Sequence, residues 1–364
     1  MKILIVDGNA SSTFGGAEKS MSVFSEYLEK SGHEVFLVCE KFTDYAVQYE
    51  RVEVINLQPP NVQGVFSYLK SVEKLVRFIK KNKVDLLITH TIHAFPMIRI
   101  VKYITGIRTM VYFKWVYNKN SIGSLNKWGL RGIKNYVANN EMVGSYWARH
   151  LPPTTKMDYV ADGILLNLSD SCLVYDKENK NQILYFGRII EGKGLHLLIK
   201  ALSMLPEKYA LKVLGAFNPK SANTMEATYH SSIVRLVEEL QLKERVFFEG
   251  HVKNVNEFIK NASLVVVPSI VDDAQPFSIL ESFALKCPAI GTNRGGIPTI
   301  FENDTFWYCE PNANAIFKKI EEVLNTDSDV LKNKTETVFN SILRRYNSEN
   351  TQKLLLDFCE TAVK

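Results

Sequence analysis

LVVVPSIVDDAQPFSILESFALKCPAIGTNRGGIPTI, residues Leu264 to Ile300, decides how this chain is built. Leu264–Val267 is fully apolar, as a strand buried on both faces must be, and Pro268–Ser269 ends it. Helical spacing follows at Ile279, Leu280, Phe283 and Ala284, then a second short strand at Ala289–Gly291 and a Gly295–Gly296 turn. A β-α-β unit of this kind predicts an α/β fold with a parallel sheet. Asp273 and Glu281 stand eight apart around Pro276, one in the loop beyond a strand's carboxyl end and one on the next helix. Between them lies the helix start, whose backbone N–H groups favour anions. In an open parallel sheet that crevice is where ligands bind. Carboxylates that grip hydroxyls, beside N–H groups that grip a phosphate, suit a nucleotide sugar.

The same alternation runs outward in both directions. Strands are predicted at Lys2–Asp7, Glu34–Cys39, Asp85–Thr89, Arg108–Phe113 and Tyr136–Ala138, with helices at Ala17–Lys30 and Gly64–Lys81. The Gly64–Lys81 helix carries Leu69, Val72, Val76 and Ile79 as its apolar face. After the unpatterned hydrophilic stretch Leu166–Lys180 the pattern restarts: strands at Gln182–Phe186, Ala210–Leu214 and Val246–Glu249, helices at Leu195–Leu205 and Ser232–Leu240. At 364 residues the chain exceeds what one core usually supports. Two successive doubly wound halves predict one Rossmann-like domain over 1–165 and a second over 166–340. Residues 341–364 form a closing segment with a final helix from about Asn350 to Ala362.

Composition narrows the class. Hydrophobic residues make up 46% and charged residues 23%, as in soluble globular proteins. MKILIVDGNA has too short an apolar core for a signal peptide, and no apolar run approaches the roughly 18 residues of a membrane span. Cys39, Cys172, Cys287, Cys309 and Cys359 are odd in number, far apart and without metal-ligand spacing, so a reducing cytoplasm is expected. Asp327 and Asp329, the one Asp-x-Asp, read as a solvated turn. Charge is uneven: residues 1–160 hold 21 Lys/Arg against 13 Asp/Glu, and within 64–134 there are 14 against only Glu73 and Asp85. Lys70, Lys74, Arg77, Lys80 and Lys81 line one side of a single helix, and Arg99, Lys102, Arg108, Lys119, Lys127, Arg131 and Lys134 extend the excess. An anionic partner is implied. Each such residue near an anionic leaflet is worth roughly 1 kcal/mol, so peripheral docking on the inner membrane face is expected. Nucleic acid is not, because no recognition fold or base-stacking motif accompanies the charge.

Gly187-Arg188, followed by Glu191-Gly192-Lys193-Gly194, sits after the second half's first strand. Arg offers a planar fork of donors and Lys a point charge, so the two can hold a diphosphate. Gly15-Gly16-Ala17-Glu18 lies where the first strand feeds the first helix, and Gly250-His251-Val252 follows Val246–Glu249. With the eight-spaced acids and Gly295-Gly296-Ile297-Pro298, these motifs resemble the retaining GT-B glycosyltransferases of the family 4 type. The resemblance spans nearly the whole chain. It implies two Rossmann-like domains facing across a cleft, with the C-terminal helix returning to the first. It also implies transfer of a sugar, with retention, from a UDP- or GDP-sugar to a hydroxyl of a glycan or lipid-linked acceptor in bacterial surface polysaccharide or glycolipid synthesis. No metal or bound cofactor is expected.

Carried over residue by residue, the resemblance gives Arg188 and Lys193 to the diphosphate, Asp273 to the transferred sugar and Glu281 to the ribose hydroxyls. Gly15, Gly16, Gly187, Val252, Pro276, Phe277, Ser278 and Ile279 would complete the donor contacts. Three positions depart from the pattern: Asp273 where Glu is usual, Thr299 where an acid is common, and Lys114 where a His is frequent. His93 is the imidazole that can partly substitute, and Lys114 would suit an anionic acceptor. His90 reads as a histidine packed in a loop. Two other readings stay open: a nucleotide-sugar 2-epimerase of the same architecture, and a non-catalytic or partner-dependent homologue. Gly-Arg … Lys-Gly with the eight-spaced acids favours transfer.

Overall fold

The computed structural model describes residues 1–8, 16–42, 46–49, 51–116, 122–164, 181–217, 225–252 and 254–363, with only the backbone of Ala17, Glu18, Gln48 and Glu226. Gly15, Lys119, Cys172 and the stretch Leu166–Lys180 lie outside the described residues. The chain divides into two compact units, Met1–Gly163 with Ser348–Lys364, and Ile164–Asn347.

In the first unit the elements run β1 (Lys2–Asp7), α1 (Gly16–Lys30), β2 (Glu34–Cys39), β3 (Val52–Val54), α2 (Pro60–Gln63), α3 (Val65–Asn82), β4 (Leu86–Thr89), α4 (Phe95–Thr105), β5 (Arg108–Phe113), α5 (Ser124–Leu130), β6 (Asn135–Ala138), α6 (Glu141–Ala148) and β7 (Asp158–Tyr159). The strands form one parallel sheet in the order β3-β2-β1-β4-β5-β6-β7. Ile3, Leu4, Ile5 and Val6 are fully buried, so both faces of β1 are covered, as its unbroken apolar run requires. One face packs Ile3, Ile5, Val35 and Leu37 against Met21, Phe24 and Leu28 of α1. The other face carries a layer in which α3 packs on α4 and α4 on α5.

In the second unit come β8 (Gln182–Phe186), α7 (Leu195–Met204), β9 (Ala210–Leu214), α8 (Met225–Glu239), β10 (Val246–Gly250), α9 (Asn256–Asn261), β11 (Leu264–Val267), α10 (Phe277–Ala284), β12 (Ala289–Thr292), α11 (Ile297–Ile300), β13 (Tyr308–Cys309), α12 (Ala313–Asn325) and α13 (Ser328–Tyr346). The parallel sheet has the order β10-β9-β8-β11-β12-β13. A last helix, α14 (Ser348–Val363), belongs to the first unit, where Leu355 and Cys359 join the α1 core.

The structure divides the chain after Gly163 and Asn347, rather than at 165/166 and 340/341. The second shift has a cause: α13 runs unbroken through residue 340 and packs on α10, which keeps its last turn in the second unit. Within that unit Ile164 bridges Asn347 and donates its N–H to Tyr346 O at 2.9 Å. Within the first, Gly163 lies so close to α14 that an added Cβ would sit 2.1 Å from Thr351 Oγ1.

Two further readings change. Gly64 stands at the N-cap of α3, an 18-residue helix, and its φ of 84°, a conformation that favours glycine, separates that helix from α2. The buried stripe of α3 is Tyr68, Ser71, Val72, Leu75 and Ile79, which leaves Leu69 55% exposed. Asp327 is not part of a solvated turn but the N-cap of α13, its carboxylate accepting the N–H groups of Asp329 and Val330.

Candidate functional site

In the second sheet β8 lies beside β11, and the chain builds away from that pair in opposite directions. The loops after β8 and β11 therefore flank a topological switch point, where open α/β sheets bind ligands. These loops hold Gly187–Gly194 and Pro268–Pro276, and they are laced together. Gly192 O accepts the N–H groups of Ile270 at 2.9 Å and Val271 at 3.3 Å. Gly194 has a φ of 71°, and a Cβ there would fall 1.9 Å from Pro268 O. Glycine is required at this position for both reasons.

Lacing the loops brings Lys193 and Asp273, 80 residues apart in sequence, into a direct ammonium–carboxylate hydrogen bond. Asp273 is fixed from the other side too. Gly296 N–H donates to Asp273 O at 2.8 Å, Gly295 N–H to Asp272 Oδ1 at 3.1 Å, and Ser269 Oγ lies 3.4 Å from the Asp273 carboxylate. A Cβ on Gly295, whose φ is 58°, would strike Asp273 O at 2.4 Å. The Gly-Gly turn is thus the cradle of the acidic loop. Lys193 and Asp273 stay 22% and 15% exposed, so the pair is rigid yet reachable.

Arg188 is exposed at the same edge, and its carbonyl accepts the Tyr185 hydroxyl at 2.7 Å. Burial, then the nearby Tyr229 and Asp273, push the Tyr185 phenol far up, so it stays a neutral donor. Pro276 stands at the N-cap of α10, where its ring offers no side-chain cap, and Phe277, Ser278 and Ile279 form the first turn. Glu281 lies one turn beyond Phe277 on the same side and is partly buried. Gly250 (φ 73°) ends β10 ahead of His251 and the partly buried Val252, and its carbonyl accepts Gly215 N–H at 2.8 Å. Beside it Phe217 stacks on Phe248 with centroids 4.2 Å apart, and His230 Nε2 meets Ile189 O at 2.7 Å. The sequence reading missed Tyr185, Phe217, Phe248 and His230. For Tyr185, Phe217 and Phe248 the only signal is an aromatic residue in or just after a strand; His230, within α8, carries none.

The first unit has its own switch point, between β1 and β4. Gly16 is the exposed first residue of α1. His93 follows β4 in a short 3-10 turn, with Nε2 3.6 Å from Glu40 Oε2. Gly8 makes room for it: a Cβ there would lie 2.5 Å from His93 Nε2. Burial alone would raise the Glu40 carboxyl, but the facing His93 imidazole and hydrogen bonds from Gln58 and Leu57 N–H hold it low. Glu40 carried no sequence signal. His90 is buried, its Nε2 3.2 Å from the equally buried Asp7.

Lys114 does not stand open to an acceptor. Its side chain is 1% exposed, and its ammonium donates to Asp162 and to Ser20 Oγ (2.6 Å) over the Tyr112 ring at 3.9 Å. Asp162 also accepts Tyr112 Oη–H at 3.0 Å, Asn139 Nδ2–H at 2.9 Å and the Ser20 hydroxyl. Burial would raise the Asp162 carboxyl, but the Lys114 charge and these hydrogen bonds outweigh it and hold it low. Lys114 is therefore a structural cation. Among the described residues no three His, Cys, Asp or Glu side chains form a metal-binding group, and no helix is long and apolar enough to cross a membrane.

Comparison with known proteins bears on both halves. Residues 14–167 match the family described as Glycosyltransferase Family 4, and residues 175–338 match Glycosyl transferases group 1. The capsular polysaccharide biosynthesis glycosyltransferase CapM of Staphylococcus aureus is 29% identical over 147 residues, 40% of this chain and 37% of CapM. A Campylobacter jejuni N-acetylgalactosaminyltransferase acting on a diphospho-undecaprenol-linked sugar is 26% identical over 160 residues, 43% of this chain and 41% of that protein. The chain spans from 37% to 65% of the length of the first curated relatives it matches. Anabaena HepE, solved with UDP, superposes with a TM-score of 0.81 at 17% identity, covering 99% of this chain and 100% of HepE. Its likeness is one of fold. With a family match in each half and this fold over the full length, the chain belongs to the GT-B glycosyltransferases of the family 4 type.

Proposed function

We propose that the chain transfers a sugar, with retention of configuration, from a UDP- or GDP-sugar to a hydroxyl of a glycan or lipid-linked acceptor in bacterial surface polysaccharide or glycolipid synthesis. The observation that carries this reading is the Lys193–Asp273 pair, seated at a switch point beside the start of α10. Arg188 and Lys193 take the diphosphate, and the first-turn N–H groups at Phe277, Ser278 and Ile279 add to the field. Asp273 takes hydroxyls of the transferred sugar, and Glu281 those of the ribose. Val252 borders the base, and Gly187 lets the backbone approach. On the first unit, Gly16 offers the N–H at the start of α1, and His93 is the acceptor-side imidazole of this reading.

As the sugar–phosphate bond breaks, negative charge grows on the leaving diphosphate. Fixed cations there lower the barrier without reorganising. Two side-chain cations supply the charge that a divalent metal supplies elsewhere, so the reaction is proposed as metal-independent. The departing phosphate oxygen accepts the acceptor's hydroxyl proton as the new glycosidic bond forms on the same face. CapM supports the place in polysaccharide synthesis, the Campylobacter enzyme the lipid-linked acceptor, and HepE with UDP the donor class. Acceptors carried on lipid also favour peripheral contact with an anionic membrane surface.

Transfer is tested by incubating the protein with UDP- and GDP-sugars and lipid-linked or glycan acceptors, then reading the product's anomeric configuration by NMR. A product with the donor's configuration is expected. An inverted product would overturn the retaining reading, and epimerised free nucleotide sugar would replace transfer by isomerisation.

A further inference from the structure

The layer of α3, α4 and α5 exposes apolar side chains that its core does not use. Val62 on α2 and Val65, Phe66 and Leu69 on α3 are 64%, 61%, 86% and 55% exposed. They gather at one corner, where Gly64 breaks the helix and Gln63 holds the break. Its side-chain amide donates to Asn56 O at 3.2 Å, and its carbonyl oxygen accepts the Ser67 hydroxyl at 3.0 Å. The corner is thus built, with its apolar groups left outside. An exposed apolar cluster on a surface otherwise rich in charge marks an interaction site.

What surrounds it says which kind. Phe66 and Lys70 lie one turn apart, and Arg77, Lys80 and Lys81 follow on the same helix. Lys74 is taken by Glu53 at 2.7 Å and Arg77 by Glu73 at 2.6 Å. Lys70, Lys80 and Lys81 have no acidic partner among the described residues. Positive charge is crowded through the neighbouring helices as well. Burial, then repulsion from Lys134, Arg108 and Arg99, pull the Lys102 ammonium down. Apolar groups beside a lysine-rich face are what an interfacial helix presents to a bilayer.

We propose that this corner docks on an anionic phospholipid bilayer, with Val62, Val65, Phe66 and Leu69 entering the headgroup boundary and Lys70, Lys80 and Lys81 meeting lipid phosphates. The proposal deepens the membrane contact suggested above and rests on that reading. Charge complementarity selects the occupant: a second copy of this chain would bring the same lysines against one another.

Co-sedimentation of the full chain with neutral phosphatidylcholine vesicles, and with vesicles holding roughly 30 mol% phosphatidylglycerol, tests it. The wild type binds the anionic vesicles only, and added salt weakens binding. Phe66→Ser with Leu69→Ser lowers the partition by about tenfold, and Lys70→Ala with Lys80→Ala and Lys81→Ala does the same. Both variants keep the wild-type melting temperature and its response to nucleotide sugar, which separates loss of docking from misfolding and from failure of the donor site. Anionic vesicles that leave the wild type in solution, or bind the Phe66/Leu69 variant equally well, would overturn the proposal. So would concentration-dependent self-association that the Phe66/Leu69 variant abolishes, since the corner would then be a protein interface.

Discussion

Each unit sets a lysine against an aspartate at the carboxyl edge of its sheet, and the two pairs live in opposite surroundings. Lys114 and Asp162 are 1% and 4% exposed, ringed by Ser20, Asn139 and Tyr112. Lys193 and Asp273 are 22% and 15% exposed, on loops held by glycines and backbone hydrogen bonds. A charge buried with all its partners is committed to the fold, because any other arrangement leaves it desolvated and unpaired. A charge pair that water can reach is stabilised less by its partner, and it can exchange that partner for a ligand. Residue type is the same in both places. Solvation decides which pair is architecture and which is available for chemistry.

Breaking the buried pair should have the largest effect. Lys114→Ala leaves Asp162 without its cation and should cost about 3–5 kcal/mol in denaturant unfolding. Loss of less than about 1 kcal/mol would place the pair with the surface ion pairs. Next comes Gly194→Ala, which combines a left-handed φ with a collision against Pro268 O. It should cost about 1–3 kcal/mol and weaken nucleotide-sugar binding, because the loops carrying Lys193 and Asp273 can no longer interlock. Calorimetric melting with and without ligand checks both parts.

Acid separates the pairs in a third way. Because the folded Asp162 carboxyl is held below its ordinary value, its stabilising contribution is present above about pH 4. It is lost as pH falls through the folded value. The wild type should therefore lose stability below about pH 4 more steeply than Lys114→Ala, as urea midpoints across that range would read. Lys193→Ala should cost about 1 kcal/mol or less in stability, yet slow transfer about 100-fold. A variant that loses stability but not rate would reverse the comparison. Smallest of all, Asp327→Ala removes only a helix cap. It should cost about 1 kcal/mol with no change in activity.

Much of this was legible in the sequence, for physical reasons. The central strands are apolar runs, and β1, β2, β5, β8, β9 and β11 fall where those runs lie. The motifs proposed for the donor side are short and local, so Arg188, Lys193, Asp273 and Glu281 stand out by spacing. What could not be read depends on partners far apart in the chain. Lys114 meets Ser20 and Asp162 across 94 and 48 residues, and no local pattern announces such a network. Glu40 finds His93 the same way. Leu69 fits the helical period of a buried stripe, but the core stops at Tyr68 and Val72, and the next turn of apolar side chains was left outside. Periodicity reports that a residue is apolar, not that something covers it.

The central claim is that the accessible pair marks the donor site. Its most direct test is saturation-transfer NMR of the purified protein against UDP-, GDP-, ADP- and CMP-sugars, with Arg188→Ala and Glu281→Ala alongside the wild type. The account predicts that a UDP- or GDP-sugar receives saturation from the wild type and that the signal disappears in both folded variants. Equal signal in the variants, or none from the folded wild type with any of the four, would contradict it.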